Sequence, residues 1–379
     1  MPLHARLTNS WDQIQGFLFP ILRQEIGPLT VQHERLVIVL NTAGIEGYVH
    51  MWPGLPGRPP RDRHALARAF VAKAVLGLPT TVALIERLLV DTVLRRLCGW
   101  ERRASVPSEA TFSRAFDEFA ETAMPSRVHE ALIAKTQKDR LIGHITRDST
   151  AIEARETPAK TDKPAPEPKR NRGRPRKGFE SKKPKVERRI PLQVSMSLAE
   201  LLAGLPTACA TSSKANAKGH RVSWIGYKLH IDVADGDIPV SCLLTSASLH
   251  DSQAAIPLAT MTAARITSLY DLMDSAYDVP EIHAHSRALG HVPIIAENPR
   301  GGTKKLRHTA EALARRTVNF RTAEARRFAE RSSAERVNSA LKDTYGARFV
   351  RVRGHAKVLC HLMFGVLALT VEQLFRLVT

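Results

Sequence analysis

Residues 222–245 read VSWIGYKLHIDVADGDIPVSCLLT. In the first half, Trp224, Gly226, Lys228 and His230 fall on one parity, and Ile225, Tyr227, Leu229 and Ile231 fall on the other. That is the two-residue period of a strand with one apolar face. The turn Asp235-Gly236-Asp237 then leads into Ile238 through Thr245, so the stretch predicts an antiparallel hairpin. Working outward, Ile145–Thr150 reads as an earlier strand. Downstream come a helix from Asp251 to about Ala264, a strand Leu269–Met273, a helix Val279–Leu289 and a strand Val292–Ala296. A hairpin followed by strands alternating with helices predicts a mixed α/β sheet flanked by helices.

The flanks read as helical. Thr317–Leu341 and Lys357–Leu377 carry helical patterns with a break around Tyr345–Val352. The apolar run Val358–Val371 contains His361 and is followed by Glu372; it falls short of the ~18 uninterrupted apolar residues of a membrane span and predicts a core helix. Residues 1–60 form an N-terminal segment ending in Pro53-Gly54-Leu55-Pro56-Gly57-Arg58-Pro59-Pro60, a linker or extended arm. From Arg61, Leu66, Phe70 and Ala74 recur every fourth residue until Gly77 and Pro79 stop the run. Thr80 or Thr81 can cap a second helix with Leu84, Leu88 and Leu89 that runs up to Leu97, and a third opens after Pro107 with Phe112, Phe116 and Phe119 on one core-facing side. The expected division is therefore residues 1–60, an all-α unit at 61–140 and the α/β unit at 141–379.

The chain carries 56 Lys+Arg against 37 Asp+Glu, net +19, which asks for a polyanionic partner, nucleic acid first. Nearly half of that excess, +9, lies between Arg155 and Arg189. This segment is rich in Pro, Lys and Arg and poor in apolar side chains, so it predicts a flexible basic insertion at about 155–220. Within it Arg172-Gly173-Arg174-Pro175-Arg176-Lys177 resembles an AT-hook core. Gly173 would let the backbone approach a narrow minor groove whose potential attracts arginine, making Arg172, Arg174, Arg176 and Lys177 DNA-contact candidates. The plainer reading is a solvated charge run or a localisation signal. Cys98, Cys209, Cys242 and Cys360 are far apart with no C-x-x-C, which argues against a zinc knuckle or a disulfide framework and for a reducing cytoplasm. The N-terminus has no signal-like apolar run.

Phosphodiester chemistry with two metal ions needs carboxylates that converge in space. Asp148 and Asp274 each close a strand and are candidate ligands, although for an isolated strand-end Asp the ordinary reading is a turn cap bonded to nearby backbone N–H groups. Arg331, Glu335, Asn338 and Lys342 project within a sector of roughly 60° on a helix, placing one carboxylate with two cations and an amide. Such a face can put Glu335 on a metal and Arg331 and Lys342 on DNA phosphates, or it can be a surface face of i, i+4 ion pairs. Asp251, near a helix start, is either an N-cap or a site-supporting residue.

Phe328-x2-Arg331-x3-Glu335-x6-Lys342 resembles the Tyr-Arg-Glu-Lys signature of bacterial insertion-sequence DDE transposases. Asp274-Ser275-Ala276-Tyr277 resembles that family's D-x-x-Y block, and Asp148-Ser149-Thr150 its first catalytic block. Gly226-Tyr227-Lys228-Leu229-His230, His250-Asp251-Ser252, Leu94–Trp100 and Pro107–Arg114 are further family-like stretches, in family order, over about residues 60 to 370. Phe328 departs from the usual Tyr, losing a hydroxyl while keeping the ring.

The resemblance implies an RNase H-like sheet with Asp148 on its first strand, Asp274 after its fourth and Glu335 on a late helix. The basic insertion would lie between the first two strands, and the helical unit would bind DNA or recognise element ends. It implies an enzyme that cuts and joins DNA at the terminal inverted repeats of its own element, with two Mg²⁺ ions for which Mn²⁺ substitutes. Asp148 would bridge both ions, with Asp274 and Glu335 each on one. Lys228, His230, Arg331, Asn338 and Lys342 are the expected phosphate or supporting contacts. The implied setting is a homodimer on double-stranded element and target DNA, in the cytoplasm at the bacterial nucleoid, without a membrane. Two rival readings are a domesticated DNA-binding protein that no longer cuts and a metal-dependent nuclease on RNA or branched DNA.

Overall fold

The computed structural model describes residues 2–50, 61–159, 188–215, 219–298, 302–348 and 350–379. The Pro/Gly-rich stretch 53–60 and the AT-hook-like Arg172, Arg174, Arg176 and Lys177 lie outside the described residues.

Among the described residues, six strands form one mixed sheet: β1 (Leu141–Glu153), β2 (Ala210–Ala215), β3 (Arg221–Ala234), β4 (Ile238–Ser246), β5 (Thr267–Met273) and β6 (Val292–Ile295). The hairpin expected from the alternation is β3–β4, antiparallel, with a register shift between Asp232 and Val233. On its other edge β3 pairs antiparallel with β1, and β1 pairs parallel with β5, which pairs parallel with β6. The connections to the parallel neighbours run through helices, as parallel pairing requires. Gly226 has φ +150° where β3 passes closest to β1; a Cβ there would lie 2.1 Å from the Ile152 carbonyl oxygen.

The sheet is covered on both faces. Thr146 on β1 faces the helix Ser332–Asp343, whose Ser333 hydroxyl donates to it at 3.0 Å. Arg147 points the other way and forms a two-pronged pair with Asp232 of β3 at 2.8 and 2.7 Å. Asp232 also accepts from Thr262 at 2.6 Å, on the helix Ser252–Ala263. Arg147 and Asp232 are 2% and 0% exposed, so this charge pair is part of the core.

The apolar run read as a core helix lies in the middle of the molecule, within the helix His355–Phe375, which buries almost its whole length. This helix joins two groups of elements in one continuous apolar core, the N-terminal helices and the first half of the sheet. The rings of Phe70 and Phe116 lie against Phe364 at 5.8 and 6.4 Å, and Trp11 meets Phe375 at 5.7 Å. Phe112, Phe116 and Phe119 are all buried, as their spacing predicts.

Ahead of the Pro/Gly-rich stretch, where the sequence signals are weak, Leu3–Gln13, Phe19–Ile26 and Val31–Ala43 are helices whose Leu7, Phe19 and Leu36 enter the shared core. Two expectations change. The second N-terminal helix is two, Thr81–Val90 and Thr92–Cys98, because the Asp91 carboxylate accepts from Leu94 N–H at 2.9 Å and starts a new helix. The insertion is folded in its last part. Arg189–Gln193 and Leu198–Ala203 are helices, Leu201 packs with Ala255 and Ile256, and β2 extends the sheet on β3.

Removing one partner of a buried ion pair strands the other charge in the core. Arg147→Ala is expected to lower the unfolding free energy by about 3–5 kcal/mol in denaturant titrations. Arg147→Met combined with Asp232→Leu should recover most of that loss; equal losses would show that the pair is not the cause.

Candidate active site

The parallel register of β1 and β5 runs from Leu141↔Thr267 to Arg147↔Met273 and then stops. The next residues on the two strands are Asp148 and Asp274, so the register brings the two carboxylates together at one end of the parallel pair. Asp148 does not close its strand: β1 continues to Glu153 on β3 alone, and Asp148 sits where β1 loses its parallel neighbour. Asp274 does end β5, and its carboxylate accepts from Ala276 N–H at 2.9 Å, capping the short turn Ser275–Tyr277. Capping and a place in the site are thus compatible for Asp274.

Burial pushes the Asp148 carboxyl above the usual range, and the neighbouring Asp274 pushes it further; the Ser149 N–H, Arg331 and Lys214 act in the opposite sense without cancelling the rise. Two carboxylates held close with too little positive charge are arranged to receive a cation.

The helix Ser332–Asp343 docks by Ala334, Val337 and Leu341, all buried. That stripe brings Asn338 onto β1, where its amide donates to Asp148 Oδ2 at 3.2 Å. Asn338 is 7% exposed, and its amide oxygen has no hydrogen-bond partner among the described residues. Glu335, one turn earlier, is exposed, and its carboxylate is ion-paired with Arg331. Lys342 is half-buried, and burial lowers its pKa, with Arg348 adding to the fall. Of the helix-face residues, Arg331 is thus shared between the Asp148 field and Glu335, while Asn338 is bonded to Asp148 and largely closed to DNA.

The opposite face of β1 carries a second polar group. Lys228 donates to Asp251 at 2.9 Å and to the Leu249 carbonyl at 2.8 Å. Burial alone would raise the Asp251 carboxyl, but Lys228, His230 and the Ser149 hydroxyl hold it below the usual range. Asp251 makes no side-chain cap to the helix that follows, so of its two readings the supporting one describes its bonds. His230 is 1% exposed and bonded to the Thr245 hydroxyl at 2.9 Å; burial pushes its pKa down to about 4. A neutral, enclosed imidazole cannot meet a DNA phosphate in this arrangement, because its position on β3 is covered by the Ser252–Ala263 side of the sheet. Tyr277 is 1% exposed, and its hydroxyl is buried without a partner among the described residues, within electrostatic range of Asp251, Asp148 and Asp274.

Lys214 on β2 escaped the sequence reading. It is exposed and acts on Asp148 and Lys342 alike. The only sequence signal was a lysine in a short Ser/Thr-containing stretch, and its place beside the carboxylates depends on β2 pairing with β3.

Among the described residues no three His, Cys, Asp or Glu side chains are grouped closely enough to hold a metal ion. Asp148 and Asp274 nevertheless fit a hard divalent cation: both offer oxygen, they repel one another, and the free Asn338 amide oxygen adds a third, neutral oxygen nearby. Glu335 lies on the same helix as Asn338, ion-paired with Arg331.

Residues 143–371 match the family model described as Transposase DDE domain, and residues 38–118 match Transposase domain (DUF772). The chain belongs to the DDE transposase family. Its mixed sheet is accordingly RNase H-like. No curated protein and no solved structure gives a match to the chain. The transposase acts on DNA, and members of its family generally use divalent metals.

The buried histidine sets an acid limit on this site. The unfolded chain takes up the His230 proton near pH 6.5, whereas the folded transposase takes it up only near pH 4. Below pH 6.5 the unfolded state therefore binds more protons, and stability falls as pH falls. At about 1.4 kcal/mol per pH unit, the His230 share reaches about 3 kcal/mol by pH 4. Urea titrations between pH 4 and 7 should show this slope reduced in His230→Gln; an unchanged slope would exclude His230 as its source.

Proposed function

We propose that this transposase cleaves DNA at the terminal inverted repeats of its insertion sequence and joins the freed 3′-hydroxyl ends to target DNA. The observation that carries the reading is the meeting of Asp148 and Asp274 at the end of the β1–β5 register, faced by the helix of Glu335. In this reading Asp148, Asp274 and Glu335 would hold two Mg²⁺ ions, replaceable by Mn²⁺. Bound divalent cations supply Lewis-acid polarisation of the phosphodiester and activation of an oxygen nucleophile.

The chain's own residues do the positioning. Asn338 fixes the Asp148 carboxylate through its amide, and the Ala276 N–H holds Asp274. Arg331 is ion-paired with Glu335, and its planar guanidinium would suit a strand phosphate. Lys342 and Lys214 contribute point charges on the same side. Lys228 and His230 support from beneath: Lys228 holds Asp251, which in turn bonds Ser149 next to Asp148. The DNA roles first assigned to Lys228, His230 and Asn338 therefore become positioning roles. The transposase works as a homodimer that pairs two element ends, in the cytoplasm at the nucleoid, and the basic stretch with Arg172, Arg174, Arg176 and Lys177 captures duplex DNA.

Incubated with Mg²⁺ or Mn²⁺ and duplexes carrying the sequences that flank its coding region, the wild type should nick and join them. Asp148→Ala, Asp274→Ala and Glu335→Ala should each lose at least ~10³-fold in cleavage rate, in line with removal of a group essential to charge stabilisation, while still binding the duplex. Selective cutting of RNA or branched duplexes would favour the nuclease reading, and cleavage that survives these substitutions would refute the assignment.

Deleting Lys169 to Lys185 should flatten the dependence of log affinity on log salt, since fewer counterions leave the DNA on binding. A slope equal to that of the wild type would remove the arm from the DNA contacts.

A further inference from the structure

A cavity of about 420 Å³ opens where the N-terminal helices meet the chain beyond β1. Its wall is strongly cationic: among the described residues, Lys73, Arg155, Arg351, Arg353 and Lys357 stand against only Glu109 and Asp117. Asp117 is paired with Lys357 at 2.7 Å, so one of the two acids is already matched.

The wall is built by identifiable bonds. The Glu156 carboxylate accepts from Gly354 N–H at 2.8 Å and from the Tyr227 hydroxyl at 3.1 Å. It ties the segment carrying Arg155 to the one carrying Arg351 and Arg353, keeping three arginines together despite their repulsion. Lys73 enters from the helix Arg63–Val75, 8% exposed, and its ammonium has no hydrogen-bond or ion-pair partner among the described residues. Burial pushes its pKa down to about 8. Lysine is almost never buried unpaired, because an ammonium removed from water needs a counter-charge. His361, also on the wall, adds no further positive charge: burial and the nearby Lys73 keep it neutral, and its Nε2 is bonded to the Gly346 carbonyl at 3.0 Å.

We propose that this cavity is a phosphoryl-binding site that seats a backbone phosphate of the DNA strand, with Lys73 as the enclosed counter-charge and Arg155, Arg351 and Arg353 around it. The inference rests on the reading of the transposase as a DNA-cutting enzyme and adds a contact remote from the cut. From Asp148 to Arg155 the extended chain covers roughly 23 Å at about 3.3 Å per residue, or roughly seven nucleotides of one strand at about 3.4 Å each. Lys342 and Lys214 lie between, within electrostatic range of each other and, for Lys342, of Glu153 at the end of β1. These interactions carry positive charge from Asp148 to Glu153, two residues before Arg155. Because Lys73 comes from the helical unit and the arginines from the catalytic one, a phosphate seated here would join the two units through its own charge.

The test uses full-length protein and a duplex carrying one element end, with affinity followed by fluorescence anisotropy over a salt series. Lys73→Met and the double change Arg351→Gln with Arg353→Gln should each weaken binding and reduce the steepness of log affinity against log salt by about 0.9 for each phosphate no longer neutralised. Lys73→Arg should restore the wild-type slope, which a purely structural role for Lys73 would not require. The two arginines are exposed, so their double variant keeps the test valid if Lys73→Met fails to fold. Wild-type slopes in the folded variants would overturn the proposal. A second arm measures the melting temperature with inorganic phosphate at constant ionic strength. Stabilisation that depends on Lys73, together with unchanged DNA slopes, would identify a free phosphate as the ligand and overturn the DNA assignment. A wild-type protein that shows these slopes and their loss in the variants yet never cuts DNA would defeat the cleavage reading alone.

Discussion

The parallel pairing of β1 with β5 is the constraint on which the site depends. It ends after Arg147 and Met273, and the next residue on each strand is an aspartate. A slip of one residue would turn Asp148 to the other face of the sheet, away from Asn338 and toward the Ser252–Ala263 helix. The register is held from beneath by the Arg147–Asp232 pair, which locks β1 to β3, and by the apolar residues of β5. The core thus accepts a buried ion pair one residue from the carboxylates, and a pair of that kind has more to offer in specifying register than in net stability.

Around this pair of carboxylates the protein has placed charge unevenly. On the helix face of β1, Arg331 divides its field between Asp148 and Glu335, and the site is short of positive charge. On the opposite face, the Lys228 ammonium matches the Asp251 charge and the Ser149 hydroxyl bonds it, so that carboxyl stays ionised. The difference separates a site arranged to take up cations from a buried support that is already neutralised. A similar contrast marks the cavity at Lys73, where the imbalance has the opposite sign and suits an anion.

Much of the fold was legible because its signals are local. The alternation through Trp224–Ile231 identified β3, the Asp235-Gly236-Asp237 turn identified the hairpin, and Phe112, Phe116 and Phe119 marked a buried helix face. The readings that changed concern residues whose role depends on distant partners. Asp251 looked as much like a helix cap as a site residue until the fold placed Lys228 and Ser149 on it. His230 had the parity of Lys228 but lies under a helix, enclosed and neutral. Lys214 had no signal of its own, since only the pairing of β2 with β3 brings it near Asp148.

By itself the sequence determined the kinds of element, their order, the concentration of basic charge before Arg189, and the family to which the ordered motifs belong. Periodicity, turn chemistry and residue spacing act over a few positions, so they can be read along one chain. Only the tertiary structure decided which carboxylates meet, that Asn338 rather than Glu335 touches Asp148, and that Lys73 is buried beside three arginines without a partner among the described residues. Those outcomes depend on strand register and on packing between segments far apart in sequence. Coulomb and desolvation energies there vary with distances that no local spacing encodes.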